Sequence, residues 1–105
     1  MPQFTVYRNK NPKSKGEIPY LLDVQSDLLG DLVTRVVIPL FQKKSTDIKP
    51  ITRLTPEFEI EGRKLILMTP QLAGISIKDL GEPVGELKQS RPEILAALDL
   101  LITGF

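Results

Sequence analysis

The chain of 105 residues contains no cysteine, no histidine and no tryptophan. Without cysteine there is no disulfide framework and no thiol chemistry. Without histidine the commonest general base and metal ligand is missing, and neither a Ser-His-Asp nor a Cys-His set can be assembled. No GxGxxG or Walker-type phosphate loop occurs. No charged start followed by an apolar run marks a signal peptide, and no apolar stretch approaches the ~20 residues of a membrane span. The cytoplasm is therefore the expected compartment, with no membrane partner. A net charge of +1 argues against a dedicated nucleic-acid binder, which carries a strongly basic face. Asp, Glu, Arg and Tyr remain available for acid–base work, but nothing in the order of residues concentrates them. No catalytic residue, cofactor or metal site is expected.

What is present is apolar patterning over one expected domain, residues 1–105. It is clearest in Ser90 to Phe105 (SRPEILAALDLLITGF). Ser90 followed by Glu93 has the spacing of a capping box, and Pro92 falls in the first turn, where a missing N–H costs nothing. Ile94, Leu98, Leu101 and Ile102 recur at helical spacing and predict a core-facing stripe. Pro92, Leu95, Ala96, Asp99 and Thr103 share the opposite face, which is too apolar for plain solvent. Gly104 is the expected helix stop. The bare aromatic Phe105 is expected to be buried, paired with a second copy or offered to a partner.

Upstream, the periodicity is that of strands. Gln3 to Arg8 alternates, with Phe4 and Val6 on one side and Thr5 and Tyr7 on the other. Asn9 to Gly16 is turn chemistry, and Arg8, Lys10, Lys13 and Lys15 make it a basic loop: either a solvated connection or a docking site for an acidic segment. Pro19 to Gln25 predicts a second strand with Tyr20, Leu22 and Val24 on one face, ended by Ser26-Asp27 and Gly30-Asp31. Arg35 to Gln42 predicts a third, apolar enough to be buried on both faces, with Pro39 implying an edge or a bulge. A short strand is expected at Ile51 to Leu54.

Glu57 to Ile60 and Lys64 to Thr69 predict a hairpin turning at Glu61-Gly62, with Lys64 set to answer the glutamates across the pair. Glu57, Glu59 and Glu61 share a face. Without histidine, cysteine or a turn supplying carbonyls, that face reads as solvated rather than metal-binding. Ile75 to Lys78 predicts a last strand, and Gly81 to Gly85 a lead into the helix. Five or more short strands followed by one helix, without a βαβ rhythm, predict a mainly β (α+β) fold. The expected form is an antiparallel sheet or half-open barrel with a C-terminal helix packed on it.

Several stretches, taken in order, resemble one family. Gln3-Phe4 with Val6-Tyr7, Asp23-Val24-Gln25-Ser26-Asp27, Val37-Ile38-Pro39-Leu40, Met68-Thr69, Gly81-Glu82 with Val84 and Leu87, and a helix ending in glycine plus one hydrophobic residue resemble the CcdB toxins. DVQSD followed by VVIPL is the most specific of these, and the match spans nearly the whole chain. The resemblance implies an SH3-like half-open barrel with a C-terminal helix, a homodimer, and no enzymatic activity. It implies a toxin of a type II toxin–antitoxin system that binds the A subunit of DNA gyrase, traps the gyrase–cleaved DNA complex and inhibits the topoisomerase.

It also implies a CcdA-like antitoxin that neutralises the toxin with a disordered acidic segment, and operator DNA contacted only through the antitoxin complex. The gyrase contacts implied by the family fall on Arg91, Pro92, Leu95, Ala96, Asp99, Thr103, Gly104 and Phe105. The antitoxin contacts implied fall on Arg8, Lys10, Lys13 and Lys15. The plasmid-type toxins have a tryptophan, a typical hot-spot anchor, where this chain has Thr103, and polar residues at Leu95 and Ala96. The Thr-Gly-hydrophobic ending is similar to the chromosomal branch. The competing reading is an endoribonuclease toxin of the MazF/Kid type. It needs acid–base groups and a basic concave surface for RNA.

Overall fold

The computed structural model describes residues 2–45 and 51–104. Seven strands and one helix follow in chain order: β1 Thr5–Asn9, β2 Tyr20–Asp23, β3 Thr34–Gln42, β4 Glu57–Ile60, β5 Arg63–Leu67, β6 Ala73–Ser76, β7 Leu80–Glu86 and α1 Arg91–Thr103. Every pairing is antiparallel. The sheet runs β4-β5-β3-β2-β1-β7, with β6 beside β3, and curls into a half-barrel carrying the helix.

The side-chain period of two sorts the strands between two apolar layers. Val6, Tyr20, Leu22, Ile38, Leu40, Leu65 and Leu67 point into the main core, where Ile94 of α1 joins them. On the opposite face Tyr7, Val37 and Leu80 form a smaller cluster under Leu21 and Ile75. The expected two-sided burial of β3 is thus observed.

Pro39 does not mark an edge, because β3 lies in the middle of the sheet. It sits where β3 changes partner, from β6 at residues 34–37 to β5 at residues 40–42. The N–H and C=O of one residue leave a strand on the same side, and the Pro39 carbonyl accepts from Met68 N on that side. The missing donor therefore faces the gap between the two partners, where no ladder bond is lost.

The Glu61-Gly62 turn forms as expected, with φ of 53° and 77°. Both central residues are left-handed, which is the turn whose twist matches a hairpin and the reason for the glycine. Lys64 lies opposite Glu59 in register, but the glutamates on either side are held elsewhere, Glu57 by Lys43 and Glu61 by Arg8.

Besides the edge at Pro39, three expectations fail. The last strand expected at Ile75 to Lys78 stops at Ser76, the end of β6, because the Ser76 side chain accepts from Lys78 N and starts a 3-10 turn at Ile77–Asp79, and a further strand, β7, follows. Ile51 to Leu54 is a turn rather than a strand: the Ile51 carbonyl accepts from Leu54 N and Thr55 N, and Thr55 Oγ1 accepts from Ile51 N. Gly81 to Gly85 is not a lead-in but most of β7. Its register against β1 slips twice, between Gly85 and Pro83 and between Pro83 and Leu80, so Gly81, Pro83 and Gly85 lie in or beside bulges of an edge strand, where such residues are tolerated. Gly81 is required there, because a Cβ would lie 2.8 Å from the Arg8 carbonyl oxygen.

Candidate functional site

The residues α1 presents follow from how it is anchored. Leu, Ala and Ile fill its sequence, Pro92 occupies its first turn, and Gly104 closes it at φ 82°, donating its N–H to the Leu100 carbonyl. The expected capping box does not form. A 3-10 turn, Lys88–Ser90, runs directly into the helix and leaves Ser90 at φ −98°, ψ 14°, with no side-chain cap bond. An N-cap acts from an extended backbone.

The helix start is held from outside instead. Arg91 Nη1 donates to Gln3 Oε1 at 3.1 Å, and its guanidinium lies 5.7 Å from the centre of the Phe4 ring. Gln3 in turn donates from Nε2 to the Val24 carbonyl at 3.0 Å and from its backbone N to Asp27 Oδ1 at 2.7 Å.

Burial along the helix corrects the expected stripe. Ile94 and Ala97 are fully buried, and Leu95 and Leu98 pack against the core. Leu101 and Ile102 are 36% and 73% exposed, so they do not belong to the core. The core that covers Ile94 and Ala97 does not extend over the last turn. Among the residues expected to face a partner, Arg91, Pro92, Asp99, Thr103 and Gly104 are exposed and Ala96 is half-buried. Leu95 is half-buried because its side chain serves the core. Thr103 Oγ1 donates to the Asp99 carbonyl at 2.7 Å, so that hydroxyl is turned back onto the helix. Phe105 lies outside the described residues. The apolar surface at the described end of α1 is therefore Leu101 with Ile102.

A second exposed apolar surface escaped sequence reading. Leu28, Leu29, Leu32 and Val33, between β2 and β3, are 95%, 51%, 48% and 77% exposed. The flanking Ser26-Asp27 and Gly30-Asp31 make this stretch look like an ordinary polar turn; four apolar residues inside it were the available signal. It is firmly held. Ser26 Oγ accepts from Leu28 N at 3.2 Å, and Gln25 donates from Nε2 to the Leu29 carbonyl at 2.9 Å while its Oε1 accepts from Val36 N at 3.0 Å. Beneath it Arg35 and Asp23, both without solvent exposure, form an ion pair at 2.7 Å. Burial pushes the Asp23 carboxyl above its usual range, and the Arg35 guanidinium opposes that shift.

The basic residues do come together. Arg8, Lys10 and Lys15 line an open groove of about 940 Å³, joined by Gln42, Arg63 and Glu82. Lys13 is exposed but not in this lining. Lys10 Nζ donates to the Lys78 carbonyl at 3.1 Å. Arg8 Nη2 pairs with Glu61 Oε2 at 3.0 Å, and the Tyr20 hydroxyl donates to the other oxygen of the same carboxylate. The Tyr20 bond, with help from Arg8, holds the Glu61 carboxyl below its ordinary 4.5. Burial, and then Glu61, push the Tyr20 phenol up.

A smaller hollow of about 580 Å³ shares Gln42 and Arg63 with this groove and adds Lys43, Lys44 and Lys64. Arg63 and these lysines are far from the loop in sequence, which is why a net charge of +1 hid a basic surface. No group of three or more metal-ligating side chains occurs among the described residues, and no helix among them is long and apolar enough to cross a membrane.

Comparison with known proteins agrees with this architecture. A solved structure described as an endoribonuclease in complex with its cognate antitoxin, from Mycobacterial species, is similar in fold. Its TM-score is 0.71, at 15% identity over 97% of this chain and 94% of that one. The family model described as CcdB protein matches residues 3–104. The chain therefore belongs to the CcdB family, the toxin members of toxin–antitoxin pairs.

Proposed function

We propose that the protein is a gyrase poison that acts by occupying a state of its target rather than by making or breaking a bond. The carrying observation is the apolar end of α1, where Leu101 and Ile102 stand exposed beside Asp99, Thr103 and Gly104 on a helix rigidly seated by Ile94 and Ala97. Family membership supplies the target: the A subunit of DNA gyrase, held on cleaved DNA. Arg91, Leu95, Ala96, Asp99, Thr103, Gly104 and Phe105 are the proposed contact set, with Leu95 supporting the surface from beneath.

The chain acts as a homodimer in this reading. A two-fold axis places the same patch twice, side by side, and burying Leu28, Leu29, Leu32 and Val33 between copies removes the largest exposed apolar side chains of the loop from water. A CcdA-like antitoxin binds the basic groove at Arg8, Lys10 and Lys15, and Lys13 on the loop outside it, through an acidic segment, and the pair together contacts operator DNA. Action is in the cytoplasm, where gyrase and its DNA are.

The test is expression in two bacterial strains, one with normal gyrase and one whose gyrase A subunit is altered at the toxin-binding site. Death of the first and survival of the second is expected. Equal killing in both, or single-stranded RNA cut by the pure protein, overturns the proposal.

A further inference from the structure

Arg8 in the groove wall is already paired with an anion, and that anion belongs to the protein. Glu61 sits at the tip of the β4–β5 hairpin with a left-handed backbone, and its two carboxylate oxygens are divided between Arg8 and the Tyr20 hydroxyl. Arg8 is a forked donor suited to a carboxylate, and it is the only arginine besides Arg63 in the groove wall. Arg63 is placed over the Tyr20 ring, 5.9 Å from its centre. The two arginines thus converge on one spot, and Glu61 holds it.

Around that spot the surface is long rather than round. The groove with Lys10 and Lys15 and the hollow with Lys44 and Lys64 meet at Gln42 and Arg63. Cations spread along a track suit an extended anionic chain, not a single small ion. Tyr20 is fully buried, and neither lining contains an exposed ring on which bases would stack. The occupant these features fit is an extended acidic peptide.

We propose that Glu61 is a built-in carboxylate mimic: it occupies the Arg8 anchor of the track, and an entering acidic segment binds by exchanging one of its own carboxylates for that of Glu61. The proposal rests on the reading of the groove as the site of an acidic antitoxin segment and adds a residue that sets its affinity. Exposure makes such an exchange feasible. The Arg8–Glu61 side chains are 47% and 39% exposed, and ion pairs so placed are weak enough to be traded.

The test measures binding of a ten-residue polyglutamate peptide to the full chain by calorimetry or fluorescence anisotropy at low salt. Glu61→Gln is expected to tighten binding about two- to five-fold, the range over which an exposed ion pair acts. Glu59→Gln removes the same charge from the same hairpin outside the groove and is expected to have a smaller effect. Arg8→Ala in the Glu61→Gln background is expected to abolish the gain, and Tyr20→Phe to reproduce part of it.

Carbon-13 shifts of the Glu61 carboxyl give a readout independent of affinity: its titration is expected to move back towards the ordinary glutamate range when peptide is bound. If polyglutamate binds the wild type and is weakened by Lys44→Glu with Lys64→Glu, yet Glu61→Gln binds no tighter than Glu59→Gln, the exchange is overturned while the groove reading stands. If polyglutamate binds no variant, or a single-stranded RNA of the same length displaces it at far lower concentration, both are overturned.

Discussion

Two surfaces of this molecule are built on opposite principles. The end of α1 and the β2–β3 connection offer side chains with nothing to hydrogen-bond: Leu101, Ile102, Leu28, Leu29, Leu32 and Val33. The groove offers charge that is only partly answered, with Glu61 and Glu82 set among Arg8, Lys10, Lys15 and Arg63. Apolar contact is not screened by salt and scales with the area removed from water. Exposed charge acts at longer range, is screened, and trades partners easily. In the proposed function, staying on a target and being released by an acidic antitoxin segment would draw on the two separately. Keeping them on separate elements lets one be occupied without dismantling the other.

Beneath the β2–β3 connection lies the buried Asp23–Arg35 pair, and removing it is the most damaging way to blur the comparison. Arg35→Met leaves Asp23 fully buried without its cation and is expected to cost about 3–5 kcal/mol. Thermal unfolding checks this; a melting temperature close to that of the wild type would show that the pair is not holding the loop. The next largest effect falls on the apolar surface alone. Ile102→Asp, or removal of Thr103-Gly104-Phe105, is expected to weaken gyrase binding by about 2 kcal/mol or more, as loss of an interface hot spot does. Unfolding and binding of the antitoxin segment are expected to be unchanged.

Reversing charge in the groove sharpens the contrast from the other side. Lys10→Glu with Lys15→Glu is expected to weaken antitoxin-segment binding roughly ten-fold at low ionic strength, with the deficit shrinking as salt rises to about 1 M, where the screening length is ~3 Å. Gyrase inhibition by the same variant is expected to be untouched. The smallest effect concerns pH. The Glu61 carboxyl titrates below its unfolded value of 4.5, so its contacts stabilise the fold fully above that pH and cease to do so as pH falls through the lower folded value. Melting curves of the wild type and Glu61→Gln are expected to converge in acid and to separate above pH 4.5, with the wild type the more stable.

The two surfaces also differ in how far they were legible. Strands with a clean alternation were readable because burial on one side leaves a period of two: Phe58 and Ile60, or Tyr20 and Leu22, announce themselves. So did the Glu61-Gly62 turn. β7 was not readable, since it contains Gly81, Pro83 and Gly85, the residue types that elsewhere signal a loop. The helix was placed correctly but its exposure was not. Leu101 and Ile102 continue the periodicity of Ile94 and Leu98, and periodicity cannot say where a helix loses its cover. Ala97, too small to stand out in sequence, is fully buried. The loop lysines were visible as a cluster, whereas Arg63, Lys44 and Lys64 reach the same surface only through the pairing of β4 and β5 and of β5 with β3.

The separation of the two surfaces is tested most directly with purified gyrase and supercoiled plasmid, by counting DNA linearised after detergent and protease treatment in the presence of the chain. The wild type and the Lys10→Glu, Lys15→Glu variant are expected to trap cleaved DNA equally, and Ile102→Asp to trap little. Equal trapping by Ile102→Asp, or loss of trapping in the groove variant, would contradict the assignment of gyrase to the helix end.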